Sequence, residues 1–150
     1  SARRLVPVAD ETSRVQMATA EAGIELFIAE ARTLKARPAS KVTSELRARI
    51  AAVKGSLLGE LLVAESIAWE QETYSLAERA RINASAHPDQ RQRWNALLNQ
   101  SLSAALRGDP QAAADAMSSY RLVTLAVAME AGLPEHRFPD SPSEYPRRAE

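Results

Sequence analysis

Cysteine is absent from this chain, which excludes disulfides, thiolate zinc sites and cysteine nucleophiles. Histidine, the commonest general base and metal ligand, occurs only as His87 and His136. Neither is predicted to lie beside carboxylates at ligand spacing, so we expect exposed structural histidines and no metal or other cofactor. Glu65, Glu72 and Glu78 are interpreted as a solvated helix face rather than as paired catalytic carboxylates.

Net charge and long apolar runs are also lacking. Lys plus Arg and Asp plus Glu both number 19, so the formal net charge is zero. Nucleic-acid binders normally carry a basic excess or stripe, so no direct nucleic-acid contact is expected. No apolar run approaches the roughly 20 residues that span a bilayer. The N-terminus SARRLVPVADE lacks the apolar centre of a signal peptide. We therefore expect a cytoplasmic chain with no membrane segment.

Helical periodicity fills most of the sequence, because glycine and proline are scarce in the body of the chain and no alternation typical of strands persists. A first helix is predicted from Asp10 or Thr12 to about Arg37. Its apolar residues recur three and four apart over 17–34, which indicates one buried face. Pro38 is expected to end it, since proline disfavours the helical conformation of the preceding residue.

A second long helix is predicted from Ser40, its expected cap, to about Ser85. Its apolar residues cover much of its circumference, which predicts a central position in the fold. Gly55 and Gly59 each cost roughly 1 kcal/mol relative to alanine inside a helix. They indicate either a break near Gly55 or a close helix crossing, and we favour a break or bend.

The stretch LRGDPQAAADAM predicts a tight turn between two antiparallel helices. Gly108 closes a helix that starts at Pro88, Asp109 caps the next helix, and Pro110 takes its first position. The alanines that follow permit close packing. The predicted fold is therefore all-α, an antiparallel helical bundle of four to six helices over 1–132, with a proline-rich extended tail over 133–150.

Four side chains are the candidates for ligand binding. Trp69 and Trp94 are two of the few aromatic residues, and they either line one pocket or pack in the core. Arg47 neighbours an apolar stripe, so an anionic ligand is one partner for its guanidinium. Tyr120 would supply a hydroxyl. No catalytic residue is predicted.

Two stretches carry a resemblance to a known family. TSELRARIAAVKGSLLGELL and LSAALRGDPQAAADAMSSYRL resemble the leucine-rich helix and the Gly-Asp turn with its alanine-rich helix in the FCD-type effector domain of GntR-family bacterial transcription regulators. The resemblance covers about half the chain and implies binding of small carboxylates, in that family through a metal held by an Asp and three His. The matching positions here are Thr43, Arg47, Leu98 or Asn99, and Tyr120. The resemblance therefore implies a metal-free site in which Arg47 supplies positive charge.

The expected function is a non-enzymatic small-molecule-sensing and dimerisation domain of a bacterial regulator, with a small anionic ligand and a homodimer. One alternative is a helical sensor domain of a membrane receptor, because ERARIN at 78–83 resembles the ER…N signature of such domains. Another is an assembly or adaptor protein without a ligand. LRARIAAVKGSLLGELL also resembles the first helix of chorismate mutases, but Glu65 stands where that family has a second arginine, so no enzyme is expected.

Overall fold

The computed structural model describes residues 8–134, and this part of the chain is mostly helical. The helices and strands, in chain order, are α1 Val8–Glu21, β1 Glu25–Ala29, β2 Thr33–Arg37, α2 Ser44–Ala52, α3 Lys54–Thr73, α4 Leu76–Ser85, α5 Pro88–Leu106 and α6 Pro110–Glu130. Short 3-10 turns at Glu30–Arg32 and Ala39–Lys41 follow the two strands. The helical class is confirmed, with a small antiparallel hairpin added to it.

The hairpin replaces the second half of the first predicted helix, so that prediction is wrong beyond Glu21. Gly23 adopts a φ of +76°, a left-handed conformation that glycine accepts without strain. The N–H of Ile24 then donates to the Thr19 carbonyl at 2.8 Å, which completes the end of α1. Met17, which began the predicted apolar stripe, is 61% exposed. The glycine signal therefore outweighs the helical spacing of the residues after it.

The two strands place apolar and charged side chains on opposite faces. Leu26 pairs with Ala36, and Ile28 pairs with Leu34, so these four residues share one face of the hairpin. Leu26 and Leu34 pack against a core cluster formed by α1 and the start of α3, and Ile28 packs against the cluster between α3, α5 and α6. The other face is charged, with the Arg37 guanidinium 2.8 Å from a Glu25 carboxylate oxygen.

The second predicted helix is three helices, and it begins later than expected. Thr43, not Ser40, caps α2, because the Thr43 hydroxyl accepts the Leu46 N–H at 3.0 Å. The chain leaves the helical path again after Thr73. A capping box then starts α4: the Ser75 hydroxyl accepts the Glu78 N–H, and the Glu78 carboxylate accepts the Ser75 N–H.

The predicted break near Gly55 is confirmed, and so is the close crossing that was its alternative. Val53 separates α2 from α3. A Cβ on Gly55 would lie 2.7 Å from the Ala105 carbonyl oxygen, and one on Gly59 would lie 3.1 Å from Cδ2 of Leu102. Gly55 therefore lets α3 approach the backbone of α5, and Gly59 leaves room for side chains of α5.

The tight turn between α5 and α6 is formed as predicted. Gly108 has a φ of +83°, and the Asp109 carboxylate accepts the Ala112 N–H at 3.1 Å. Pro110 is the first residue of α6. The Ser101 hydroxyl donates to a carbonyl of the facing helix at 2.8 Å. Small buried side chains fill the contact between the two helices, namely Ala104, Ala105, Ala113 and Ala116.

Three arginines stabilise the ends of helices. Arg79 donates from Nε to the Tyr74 carbonyl at the end of α3, Arg81 donates to the Ala131 carbonyl at the end of α6, and Arg91 donates to the Asn83 carbonyl near the end of α4. The last carbonyls of a helix lack intrahelical partners and carry partial negative charge. These arginines therefore serve helix stability.

The core ends beyond the predicted domain boundary at position 132. Leu133 is buried in a cluster that also contains Trp69, Tyr74, Ile82 and Val127. The first residue of the predicted tail is therefore part of the packed bundle. The rest of that tail from position 135 onward, including His136, lies outside the described residues.

Candidate functional site

Of the three predicted aromatic ligand-binding residues, Trp69 is buried in the bundle, and Trp94 and Tyr120 are half-buried against its core. Trp69 is 2% exposed and meets Tyr74 edge-on at 6.0 Å between ring centroids. Trp94 donates from Nε1 to the Thr124 hydroxyl at 3.0 Å, and its ring lies 6.3 Å from that of Tyr120. Burial, with a smaller contribution from Glu70, raises the pKa of Tyr120, so its hydroxyl stays a neutral group. These contacts show that the three aromatic side chains pack in or against the core.

Arg47 lies elsewhere, on the exposed side of α2. It borders a cavity of about 320 Å³ between α2 and the apolar face of the hairpin, which we call the Arg47 cavity. Lys35 also borders it, but its side chain belongs to the opposite, charged face of the hairpin. The remaining lining residues are aliphatic, and they are Leu26, Leu34, Ala36, Ala39, Val42 and Ile50. The structure thus groups the three aromatic residues around the core but does not place them in the lining of the Arg47 cavity.

The positions that the family resemblance matches to metal ligands have other surroundings here. Thr43 caps α2, Leu98 packs against the core, and Tyr120 packs against Trp94. Within residues 8–134, no three His, Cys, Asp or Glu side chains are grouped so that they could hold a metal ion. His87 is an exposed residue at the start of α5, with Nε2 3.8 Å from a Glu130 carboxylate oxygen.

A second cavity, of about 400 Å³, lies at the tip of the hairpin, and we call it the hairpin-tip cavity. Arg32 and Lys54 supply two positive charges, and none of the described residues lining it is a carboxylate. Its other lining residues come from β2, the start of α3 and the turn between α5 and α6, and they are Thr33, Gly55, Leu58, Ala105, Leu106, Gly108 and Pro110. The sequence did not reveal this site, because Arg32 lay within a predicted helix far from that turn.

Arg32 also belongs to a buried group of charges between α3 and α6. Arg121 is 2% exposed and donates to the Ser66 hydroxyl at 2.6 Å and to the Ser118 hydroxyl at 3.1 Å. Burial raises the pKa of Glu65, and the charges of Arg121 and Arg32 oppose that effect. Oε1 of Glu65 and Nε of Arg32 are buried and have no hydrogen-bond partner among the described residues. Glu65 is therefore not on a solvated face, as the sequence suggested.

A third cavity, of about 330 Å³, lies between α5 and α6 and differs in its charge. Arg93 and Arg107 border it, but Asp115 does as well. The carboxylate offsets part of the positive charge and would repel an anion. The two cavities beside the hairpin are therefore the better anion sites.

In comparisons with known proteins, no family model, no curated protein and no solved structure matches this chain. No helix in the described part of the chain has the length and apolar character needed to cross a membrane.

Proposed function

We propose that this chain is a non-enzymatic, small-molecule-sensing domain of a bacterial regulator, and that it binds a small organic monoanion in the Arg47 cavity. A carboxylate with a short aliphatic body is the simplest such ligand. The observation that carries the proposal is the lining of this cavity, where Arg47 meets aliphatic side chains and, among residues 8–134, no carboxylate.

The charges of the cavity favour an anion. At an effective dielectric of about 20, two unit charges 4 Å apart interact by about 4 kcal/mol. Arg47 is exposed, so water and salt reduce this energy for it. Lys35 lies on the opposite face of the hairpin from Leu26 and Leu34, so Arg47 is the cation that an anion in the cavity would meet. A planar carboxylate also matches the fork of the Arg47 guanidinium.

The aliphatic walls favour a ligand with an apolar body. Leu26 and Leu34 from the hairpin face Val42 and Ile50 across the cavity region. Each buried methylene contributes about 0.8 kcal/mol, which is about a fourfold gain in affinity. Affinity should therefore rise with chain length until the ligand fills the cavity.

The place of the cavity suggests how binding would be transmitted. The hairpin forms one wall and α2 the other, and the same hairpin packs against α3 through Leu26, Ile28 and Leu34. A ligand that binds one arrangement of hairpin and α2 more tightly would shift the population toward it. A second protomer or another domain would then respond. The resemblance to FCD-type domains supports this class of function, since Arg47 stands at a position matched to one of their metal ligands.

Calorimetric titration with butanoate, hexanoate and octanoate, in the presence of EDTA, tests the proposal. We expect binding without metal and about a fourfold gain per methylene over the shorter ligands. Arg47→Gln should weaken binding about tenfold, because a charge-assisted hydrogen bond is lost. Lys35→Gln should weaken it by less, because the Lys35 side chain lies on the opposite face of the hairpin from Leu26 and Leu34.

Arg93→Gln is the matched control, because it removes an exposed cation from the cavity between α5 and α6. It should leave hexanoate binding unchanged. Equal affinities for the three carboxylates, or full binding by Arg47→Gln, would contradict the proposed site. Binding that requires a divalent metal would contradict its metal-free chemistry.

A further inference from the structure

We propose that the hairpin-tip cavity is a second binding site, and that it takes a small phosphate monoester with an apolar body. This inference does not depend on the Arg47 cavity, since the two linings share no residue. It combines residues from three separated parts of the chain: the hairpin, the start of α3 and the turn between α5 and α6.

The two cations in the lining favour a divalent anion. A phosphate monoester carries a charge between about −1.5 and −2 at neutral pH and offers three strong acceptor oxygens. Arg32 and Lys54 could each bind a different oxygen, and the Thr33 hydroxyl adds a neutral donor in the same lining. Nε of Arg32 is buried and has no hydrogen-bond partner within residues 8–134, so Arg32 would contribute to anion binding through the charge of its guanidinium rather than through this donor.

Glu65 is the carboxylate that competes for Arg32, and its position limits that competition. It does not line the cavity, and it interacts with Arg121 as well as with Arg32. Burial is the largest influence on Glu65 and raises its pKa, which disfavours the charged form. Glu65 therefore does not engage Arg32 alone, and it stands outside the cavity that the anion would enter.

The apolar part of the cavity lining explains why we expect a phosphate ester rather than inorganic phosphate. Leu58, Ala105 and Leu106 supply apolar surface, and Pro110 closes the wall at the start of α6. Beside them, a Cβ placed on Gly108 would meet no atom within 4 Å, so the space at the turn is open. An apolar ester group would bury surface there that free phosphate cannot.

Calorimetric titration with phenyl phosphate, inorganic phosphate and benzoate tests the site. We expect phenyl phosphate to bind most tightly of the three, because it alone has both the divalent charge and the apolar body. Lys54→Gln should weaken its binding about tenfold. Leu106→Trp should also weaken it, by filling the cavity without changing any charge. Lys54 and Leu106 are both exposed, so these variants are expected to fold.

The controls separate this site from the Arg47 cavity. Arg47→Gln should bind phenyl phosphate as the unaltered chain does, and Lys54→Gln should retain hexanoate binding if that ligand uses the Arg47 cavity. Unchanged phenyl phosphate affinity in both Lys54→Gln and Leu106→Trp would overturn the proposal. So would the absence of phenyl phosphate binding at millimolar concentration, or equally tight binding of inorganic phosphate or benzoate.

Discussion

Arg121 shows what a single residue contributes to this bundle and why it was missed. Its guanidinium lies between α3 and α6 and donates to two serine hydroxyls. The sequence held a signal for its burial, because Met117, Arg121, Thr124 and Ala128 follow the three-and-four spacing of the buried face of α6. Charged residues are almost never fully buried unless they are paired. Ser118 lies in the same helix, but Ser66 comes from α3, so a pattern within α6 reveals only part of the pairing.

Glu65 gives a pH-dependent prediction at the same scale. Burial raises its pKa in the folded state above the ordinary value of 4.5, despite the charges of Arg121 and Arg32. Between the two pKa values the folded state holds more protons than the unfolded state, so stability falls as pH rises. Glu65→Gln should remove the part of this fall in stability that comes from Glu65. Urea unfolding of the unaltered chain and of Glu65→Gln, at about pH 5 and about pH 8, measures the difference in unfolding free energy.

Glu21→Gln is the control for this experiment, because it removes one exposed carboxylate from the end of α1. Glu70 is also buried enough for its pKa to be raised, but it is present in both proteins and its effect cancels in the comparison. Equal pH dependence in the unaltered chain and Glu65→Gln would show that the two arginines fully offset burial. A steeper decline in Glu65→Gln would show that their attraction outweighs it.

Among the elements, the close crossing of α3 and α5 depends on Gly55. Alanine is favoured over glycine by about 1 kcal/mol within a helix, so propensity alone predicts a stabilising Gly55→Ala change. The added Cβ would lie 2.7 Å from the Ala105 carbonyl oxygen and 3.0 Å from Cα of Leu106, both backbone atoms. We expect the steric strain to outweigh the gain in helix propensity, so that Gly55→Ala lowers the unfolding free energy by about 1–3 kcal/mol.

Gly59→Ala is the matched variant, one turn further along the same helix. Its nearest contact would be a side-chain atom, Cδ2 of Leu102 at 3.1 Å, which can move by a few tenths of an ångström. Chemical denaturation should therefore find Gly59→Ala less destabilised than Gly55→Ala. The reverse order would mean that α3 shifts easily away from α5 and that Gly55 is not the point of closest contact.

The elements also show how far the sequence predicts this fold. Local signals with a short range were reliable: the break near Gly55, the turn at Gly108 and the cap at Asp109 are all formed. The sequence does not predict the hairpin, because Ile24, Phe27 and Ile28 fit a helical spacing and the short apolar run of β1 shows no alternation. Contacts with α1 and α3 select the strands, and no local window contains those contacts.

The candidate sites were less predictable than the fold, for the same reason. Arg47 was recognised because it adjoins the apolar residues of its own helix, and it does border a cavity. Arg32 and Lys54 are 22 positions apart in sequence and meet only because the hairpin folds back over the start of α3. A cavity assembled from distant segments requires the tertiary arrangement, which element patterns alone do not provide.

At the scale of the whole molecule, the expected homodimer stays a prediction, and α3 provides the surface on which to test it. Ala64, Ile67 and Ala68 follow helical spacing and are exposed, with Ile67 at 50%. Zero net charge means that long-range repulsion does not oppose self-association. A two-fold dimer uses the same patch on both protomers, so Ile67→Glu would place two carboxylates in one interface.

We expect Ile67→Glu to weaken dimerisation at least about tenfold in sedimentation equilibrium, since like charges facing each other are strongly unfavourable. Leu76→Glu is the matched control, because Leu76 is 74% exposed and belongs to a different helix, α4. If both variants dimerise as tightly as the unaltered chain, the interface lies away from Ile67. If the unaltered chain remains monomeric at high micromolar concentration, the homodimer prediction is wrong. Any sensing would then have to act through the hairpin within a single protomer.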